Sequence, residues 1–358
     1  MRVIRRSEVV RPLPPHARSL ADLSYELGGI HLGVGDFMAR RRTAGLLILK
    51  HGEVALECYG MGNAPESRWV SCSTAKSIVS TLVGAALHDG ALRSLDDRCE
   101  QYLPRLRGSA YEGVTIRNLL RMCSGVAWRE DDDADESSES YRFGRAMLSR
   151  RPGAVLDLMC ELPRAHPQGT VFNYSSGESC VIAALVAAAT GRSLADYCAE
   201  TIWRAAGMEA DGYWQLESPD GLELGGFGVS ARLRDVGRFG QLMLEDGEAF
   251  AGRRVLPPGW RDLAGQPDGA ATGFGRPIPG SPTGYGYQWW VAPPPPGVNI
   301  GTFSARGSFG QFIIVNPNEQ VVIAIQSAGR LPYDRDDDLE VVAMIKAVVQ
   351  ALRTEPAA

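Results

Sequence analysis

The sequence predicts an α/β domain interrupted by an all-α one. Strand-like apolar runs stand near both ends of the chain, within residues 46–59 and 287–325, and the stretch between reads as helices and loops. A glycine- and proline-rich connector, residues 267–286, then leads the chain back into strands. The expected division is a discontinuous α/β domain, residues 1–93 and 261–358, with a mainly helical insertion at 94–260.

Taken in order, residues 46–50 and 54–59 are strand-like, and His51-Gly52 between them suits a hairpin. Residues 74–88 follow as a helix. Ile78, Val79, Leu82, Val83, Ala86 and Leu87 give it a wide apolar face, and Asp89-Gly90 ends it. Within the insertion, helices are expected over 116–122, 179–189, 194–205 and 233–244. The late strands are 287–291, 311–315 and 321–325, the last two flanking a turn at Asn316-Pro317-Asn318-Glu319. A closing helix over 339–352 offers Val341, Ile345, Val348 and Leu352 to a sheet. Asp336, Asp337 and Asp338 stand where carboxylates favour a helix N-terminus.

The chain has 358 residues, 44% hydrophobic and 22% charged, the make-up of a soluble globular protein with a sizeable core. Its formal charge of -5 gives no electrostatic reason to expect nucleic acid or an anionic membrane as partner. Residues 1–18 lack the apolar centre of a secretory signal, and the longest apolar stretch, 180–189, is too short to span a bilayer. The seven cysteines are Cys58, Cys72, Cys99, Cys123, Cys160, Cys180 and Cys198. Without a Cys-x-x-Cys pair they read as reduced thiols of a cytoplasmic protein, with no metal and no cofactor expected.

The strongest chemical signal is Ser73-Thr74-Ala75-Lys76 at the start of the first long helix. Residues three apart on a helix share a face, so the lysine nitrogen can reach the serine hydroxyl. A serine near its free pKa is a weak nucleophile and needs an adjacent base. Lysine can serve when it is desolvated; guanidinium cannot. The only lysines are Lys50, Lys76 and Lys346 in a chain that otherwise uses arginine. Taken alone, the motif equally fits an N-cap serine followed by a surface lysine.

Three further segments accompany it: Tyr174-Ser175-Ser176-Gly177 before an apolar helix, Arg306-Gly307-Ser308-Phe309-Gly310-Gln311 leading into a late strand, and the run from Val114 to Gly125. Together these resemble the serine β-lactamase and penicillin-binding-protein superfamily, in the branch of class C β-lactamases, related esterases and 6-aminohexanoate-dimer hydrolases. The resemblance implies a β-lactamase/transpeptidase-like fold, an antiparallel sheet flanked by helices, with the active site in the cleft between the α/β domain and the inserted helical domain. It also implies roles: Ser73 as nucleophile, Lys76 as its base, Tyr174 as proton relay, and the backbone N–H groups of Ser73 and Ser308 as an oxyanion hole. Trp128, Ser176, Arg306 and Gly307 are the expected substrate-binding residues. For Tyr174 a half-buried core position, and for Gly307 and Gly310 a bulge or bend, remain open on the residues alone.

The departures matter as well. Lactam-processing members usually have Tyr-x-Asn where this chain has Ser176, and Lys-Thr-Gly where it has Ala305-Arg306-Gly307. The expectation is therefore a serine hydrolase acting on a small ester or linear amide through an acyl-serine. The alternatives are a β-lactamase, a D-amino-acid peptidase or an acyltransferase; of another class, a catalytically silent ligand-binding member. No Gly-x-Ser-x-Gly elbow occurs, and none of the five histidines has a triad context. The acidic run 130–136 reads as a solvated loop.

Overall fold

The computed structural model describes residues 1–130, 135–250, 252–266, 284–291 and 301–353. The chain begins with β1 (Arg2–Ile4), β2 (Ser24–Leu27), β3 (Ile30–Gly33), α1 (Val34–Arg40), β4 (Thr43–Lys50), β5 (Glu53–Tyr59) and β6 (Arg68–Val70). A 3-10 turn at Cys72–Thr74 then opens α2 (Ala75–His88). Next come α3 (Ile116–Leu120), α4 (Glu139–Leu148), α5 (Ala154–Glu161), α6 (Ser176–Thr190) and α7 (Leu194–Cys198). These are followed by β7 (Gly212–Trp214), β8 (Val229–Arg232), α8 (Leu233–Leu244) and α9 (Trp260–Ala264). The last part holds β9 (Gly284–Tyr285), β10 (Trp290–Val291), β11 (Phe303–Gly307), β12 (Gln311–Asn316), β13 (Val321–Ser327) and α10 (Arg335–Arg353).

Both ends of the chain build one antiparallel sheet, in the order β5-β4-β13-β12-β11-β10-β9. Its central strands β4, β12 and β13 are buried on both faces. That is why they read as unbroken apolar runs rather than as alternation. Successive residues still serve opposite faces. Leu46, Ile48, Ile314 and Ile323 meet Val341, Met344, Val348 and Leu352 of α10. Leu47, Leu49, Ile313 and Val322 join the core that holds α2, α6 and α8. Helix α8 lies close to the sheet because two of its residues are glycines: a Cβ on Gly237 would fall 2.5 Å from Leu47 Cδ2, and one on Gly240 2.5 Å from Val322 Cγ1.

A second sheet, β1-β7-β8-β6, ties the start of the chain to the segment entering α2. Its strands are three or four residues long, too short to show a period in sequence.

The antiparallel sheet flanked by helices is the architecture expected, and α8 forms over the expected residues. Three elements differ. The helix expected over 194–205 is α7 followed by a π-helical turn at Ala199–Trp203, where Arg204 N donates five residues back to Ala199 O at 3.0 Å. Helix α3 stops at Leu120, since Met122 takes a φ of +55°. The strand expected over 287–291 shrinks to β10, because Tyr287 and Gln288 turn toward α2. Their carbonyls accept from Ser80 Oγ and Ser77 Oγ, each at 2.6 Å. Most of the 267–286 connector lies outside the described residues. Among the described residues no single helix is long and apolar enough to cross a membrane.

Candidate active site

The site starts where β6 ends. Ser71 anchors the turn to β8: its N–H donates to Val229 O at 2.7 Å, and its Oγ accepts from Val229 N at 3.2 Å. Cys72 then takes a φ of +46°, a region non-glycine residues seldom occupy. The chain thus turns sharply just before Ser73, which is half-buried. Burial pushes the Cys72 thiol up in spite of nearby Lys76, so the sulfur beside Ser73 is a neutral thiol and not a competing thiolate.

One helical turn on, Lys76 is only 1% exposed. Its Nζ stands 2.9 Å from each of three oxygens: Ser73 Oγ, Ser176 Oγ and the Gly226 carbonyl. Of the other lysines, Lys346 is exposed and Lys50 donates to Glu319 O at 2.8 Å.

Each partner of Lys76 arrives on its own element. Ser176 is the first residue of α6, whose N-cap Ser175 accepts from Glu178 N at 3.1 Å. Gly226 lies against the start of that helix; a Cβ there would fall 2.7 Å from Ser176 O. Only glycine lets the backbone approach so nearly and bring its carbonyl to the lysine. The Tyr174 ring centroid is 4.9 Å from Lys76 Nζ, and the ring packs on Tyr285 and Trp290. Among the described residues the Tyr174 hydroxyl makes no hydrogen bond.

On the sheet side, β11 ends against the same turn. A Cβ on Gly307 would lie 2.7 Å from Ser71 O and 3.1 Å from Cys72 Cβ. Ser308 follows directly, half-buried at the strand end beside the segment that carries Ser73.

Trp128 is buried and stacks edge-on to Phe143, which in turn meets Phe227. These rings line a cavity of about 370 Å³ that also borders Ser176 and Glu130. A larger cavity, about 750 Å³ and lined by Asp89, Tyr197 and Phe250 among others, includes none of the expected site residues.

Arg306 is held by groups of the fold itself. Its guanidinium sits near the rings of Trp290 and Phe312, and Nη1 bonds Asp338 of α10 at 3.1 Å. Alternation along β11 turns it to the α10 face, away from Lys76. Its charge is met inside the fold by Asp338.

Glu130 was not visible as a site residue. The acidic run was expected to be solvated; residues 131–134 of it lie outside the described residues, and Asp135 and Glu136 bond locally to Ser137 and Tyr141. Glu130 instead turns inward. Its Oε2 accepts from Trp128 Nε1 at 2.5 Å and from Ser176 N at 2.8 Å, and Ser176 Oγ donates to Oε1. Nothing in the charge run distinguishes its first member; the nearby cues were Trp128 and the run's place just after Ser124-Gly125. Glu178, fully enclosed in α6, has its carboxyl pushed up to about 8 by burial, partly offset by the Ser124 hydroxyl that donates to it.

This arrangement has relatives. The beta-lactamase family model matches residues 34–345. The 6-aminohexanoate-dimer hydrolase of Paenarthrobacter ureafaciens is 31% identical over 302 residues, spanning 82% of this chain and 74% of its own. Among solved structures, a Bacillus anthracis protein provisionally assigned as a 6-aminohexanoate-dimer hydrolase superposes with a TM-score of 0.85 at 22% identity, covering 99% of this chain and 92% of that one. EstCE1, a hydrolase with promiscuous acyltransferase activity, superposes with a TM-score of 0.66 at 17% identity, covering 82% and 90%.

Proposed function

Because the chain belongs to the beta-lactamase family and is a serine hydrolase, we propose that Ser73 is its nucleophile and that it cleaves small esters or linear amides. The observation that carries the reading is the 2.9 Å approach of the buried Lys76 Nζ to Ser73 Oγ. With Lys76 as the amine, the Ser73 proton passes to Nζ while Oγ bonds to the substrate carbonyl carbon. The carbonyl π pair moves onto oxygen, where the N–H groups of Ser73 and Ser308 donate to it. Collapse of this adduct breaks the bond to the alcohol or amine, which leaves with the proton held by Lys76, passed on by Tyr174. Water then attacks the acyl-serine, gives its proton to the same base, and the acid departs as Ser73 regains its hydrogen.

The cavity beside Trp128 and Ser176 receives one arm of the substrate. The similarity to 6-aminohexanoate-dimer hydrolase supports linear amides, alongside esters, as the substrate class. The chemistry uses no cofactor. Seven unpaired thiols support a cytoplasmic place of action.

The test is intact-mass spectrometry after treatment with a fluorophosphonate, paired with turnover of p-nitrophenyl acetate. The parent protein is expected to gain one adduct, and Ser73→Ala to gain none and to lose turnover while keeping its fold, because Ser73 lies inside the 3-10 turn, caps no helix, and its hydroxyl meets Lys76. Near-normal turnover by a folded Ser73→Ala protein overturns the assignment.

A further inference from the structure

We propose that Glu130 is a positioning residue that aims the lone pair of Lys76 at Ser73, an inference that rests on the reading of Ser73 and Lys76 given above. An amine has two N–H bonds and one lone pair, and Lys76 Nζ faces three oxygens at equal distance. The Gly226 oxygen is a carbonyl and can only accept. Ser73 and Ser176 are hydroxyls, and each can donate or accept. Left to themselves, either could take the lone pair, and only one of the two choices is productive.

Glu130 breaks this symmetry. A carboxylate can only accept, and its Oε1 takes the Ser176 hydroxyl proton. Its Oε2 is held by the Ser176 N–H and the Trp128 indole N–H, so the group cannot turn away. The first turn of the 15-residue helix α6 also favours a negative charge there. With its single proton committed, Ser176 Oγ can only accept from Lys76. The two N–H bonds of the amine therefore go to Gly226 and Ser176, and the lone pair is left for the Ser73 hydroxyl. Were Ser176 to donate to the lysine instead, Ser73 would receive an N–H and its own proton would have no base.

Glu130→Gln tests this, because an amide NH2 can donate to Ser176 Oγ and free that hydroxyl to turn toward Lys76. With p-nitrophenyl acetate, kcat is expected to fall about a hundredfold, the scale of a misdirected general base. KM is expected to stay within about twofold and the melting temperature near that of the parent, while Glu130→Asp, which keeps an acceptor-only group, recovers most of the rate. In a Ser176→Ala background the same Glu130→Gln change is expected to have no further effect, since its only route to the lysine is gone. A Glu130→Gln protein at parent kcat, an equal loss in the Ser176→Ala background, or Asp and Gln variants equally impaired would each overturn the proposal. If Glu130→Gln does not fold, Ser176→Ala alone decides: its kcat is expected to fall about tenfold at steady KM, and an unchanged kcat overturns the proposal. Ser73→Ala and Lys76→Arg run alongside. If they are active, the underlying reading fails; if they are dead while Glu130→Gln is normal, only the role of Glu130 fails.

Discussion

Lys76 and Arg306 are both basic side chains shielded by the fold, and their neighbours give them opposite uses. Lys76 touches neutral oxygens and the face of a tyrosine, and among the described residues no carboxylate pairs with it. Lys76→Arg keeps a long cationic side chain but presents donors without a lone pair. Ester turnover is expected to drop by about 10²-fold or more, measured as kcat on a folded variant; an active Arg variant removes lysine from the mechanism. Glu178 gives a second residue-scale prediction. Its carboxyl sits at about 8 in the fold against an ordinary 4.5, so the folded chain keeps a proton that the unfolded chain releases between those values. Stability from this group is full below about pH 4.5 and is lost as pH rises through about 8. Glu178→Gln removes the titration. Thermal melts from pH 5 to about 8.5 are expected to show the parent's Tm falling relative to the variant's, and parallel curves would contradict the assignment.

At the scale of elements, β11 serves two layers at once. Ala305 is fully buried in the core shared with α2, and Gly307 closes on the Ser71–Cys72 turn. Arg306, between them, reaches the other way to Asp338 in the first turn of α10. Burial pulls the guanidinium down and pushes the Asp338 carboxyl up, and each partner counters the other's shift. Removing one leaves the other poorly compensated. Arg306→Gln is therefore expected to cost about 1–3 kcal/mol of stability, read by denaturant unfolding, while KM for a negatively charged p-nitrophenyl hemisuccinate ester stays unchanged. A raised KM with unaltered stability would return Arg306 to the substrate site.

Across the whole molecule, the fold brings a helix start, a glycine-rich loop, a second helix start and a strand end to one point. Where the resemblance implies Lys-Thr-Gly, this chain has Ala305-Arg306-Gly307, and Ala305 is fully buried. Ala305 offers no charge to the carboxylate of a penicillin. Short p-nitrophenyl esters are therefore expected to be hydrolysed with much higher kcat/KM than penicillins or cephalosporins. A cephalosporin turned over more efficiently than the best ester would show that another group supplies the missing charge.

Ser73 and Lys76 could be paired from the sequence because three residues on a helix are neighbours whatever the rest of the chain does. The central strands were legible for a related reason: burial on both faces demands apolar residues throughout. Tyr174, Ser176 and Ser308 were reached through resemblance, since no local rule joins them to Ser73. What only the tertiary structure decided are the long-range contacts. Gly226 reaches Lys76 across 150 residues and Glu130 reaches Ser176 across 46, and neither leaves a periodic trace. Arg306 shows the same limit from the other side. Its residue type suited a substrate carboxylate, but the face of the sheet on which a strand residue stands depends on register and on what packs against that sheet. Helix α10, folded back from the end of the chain, gave that arginine its partner.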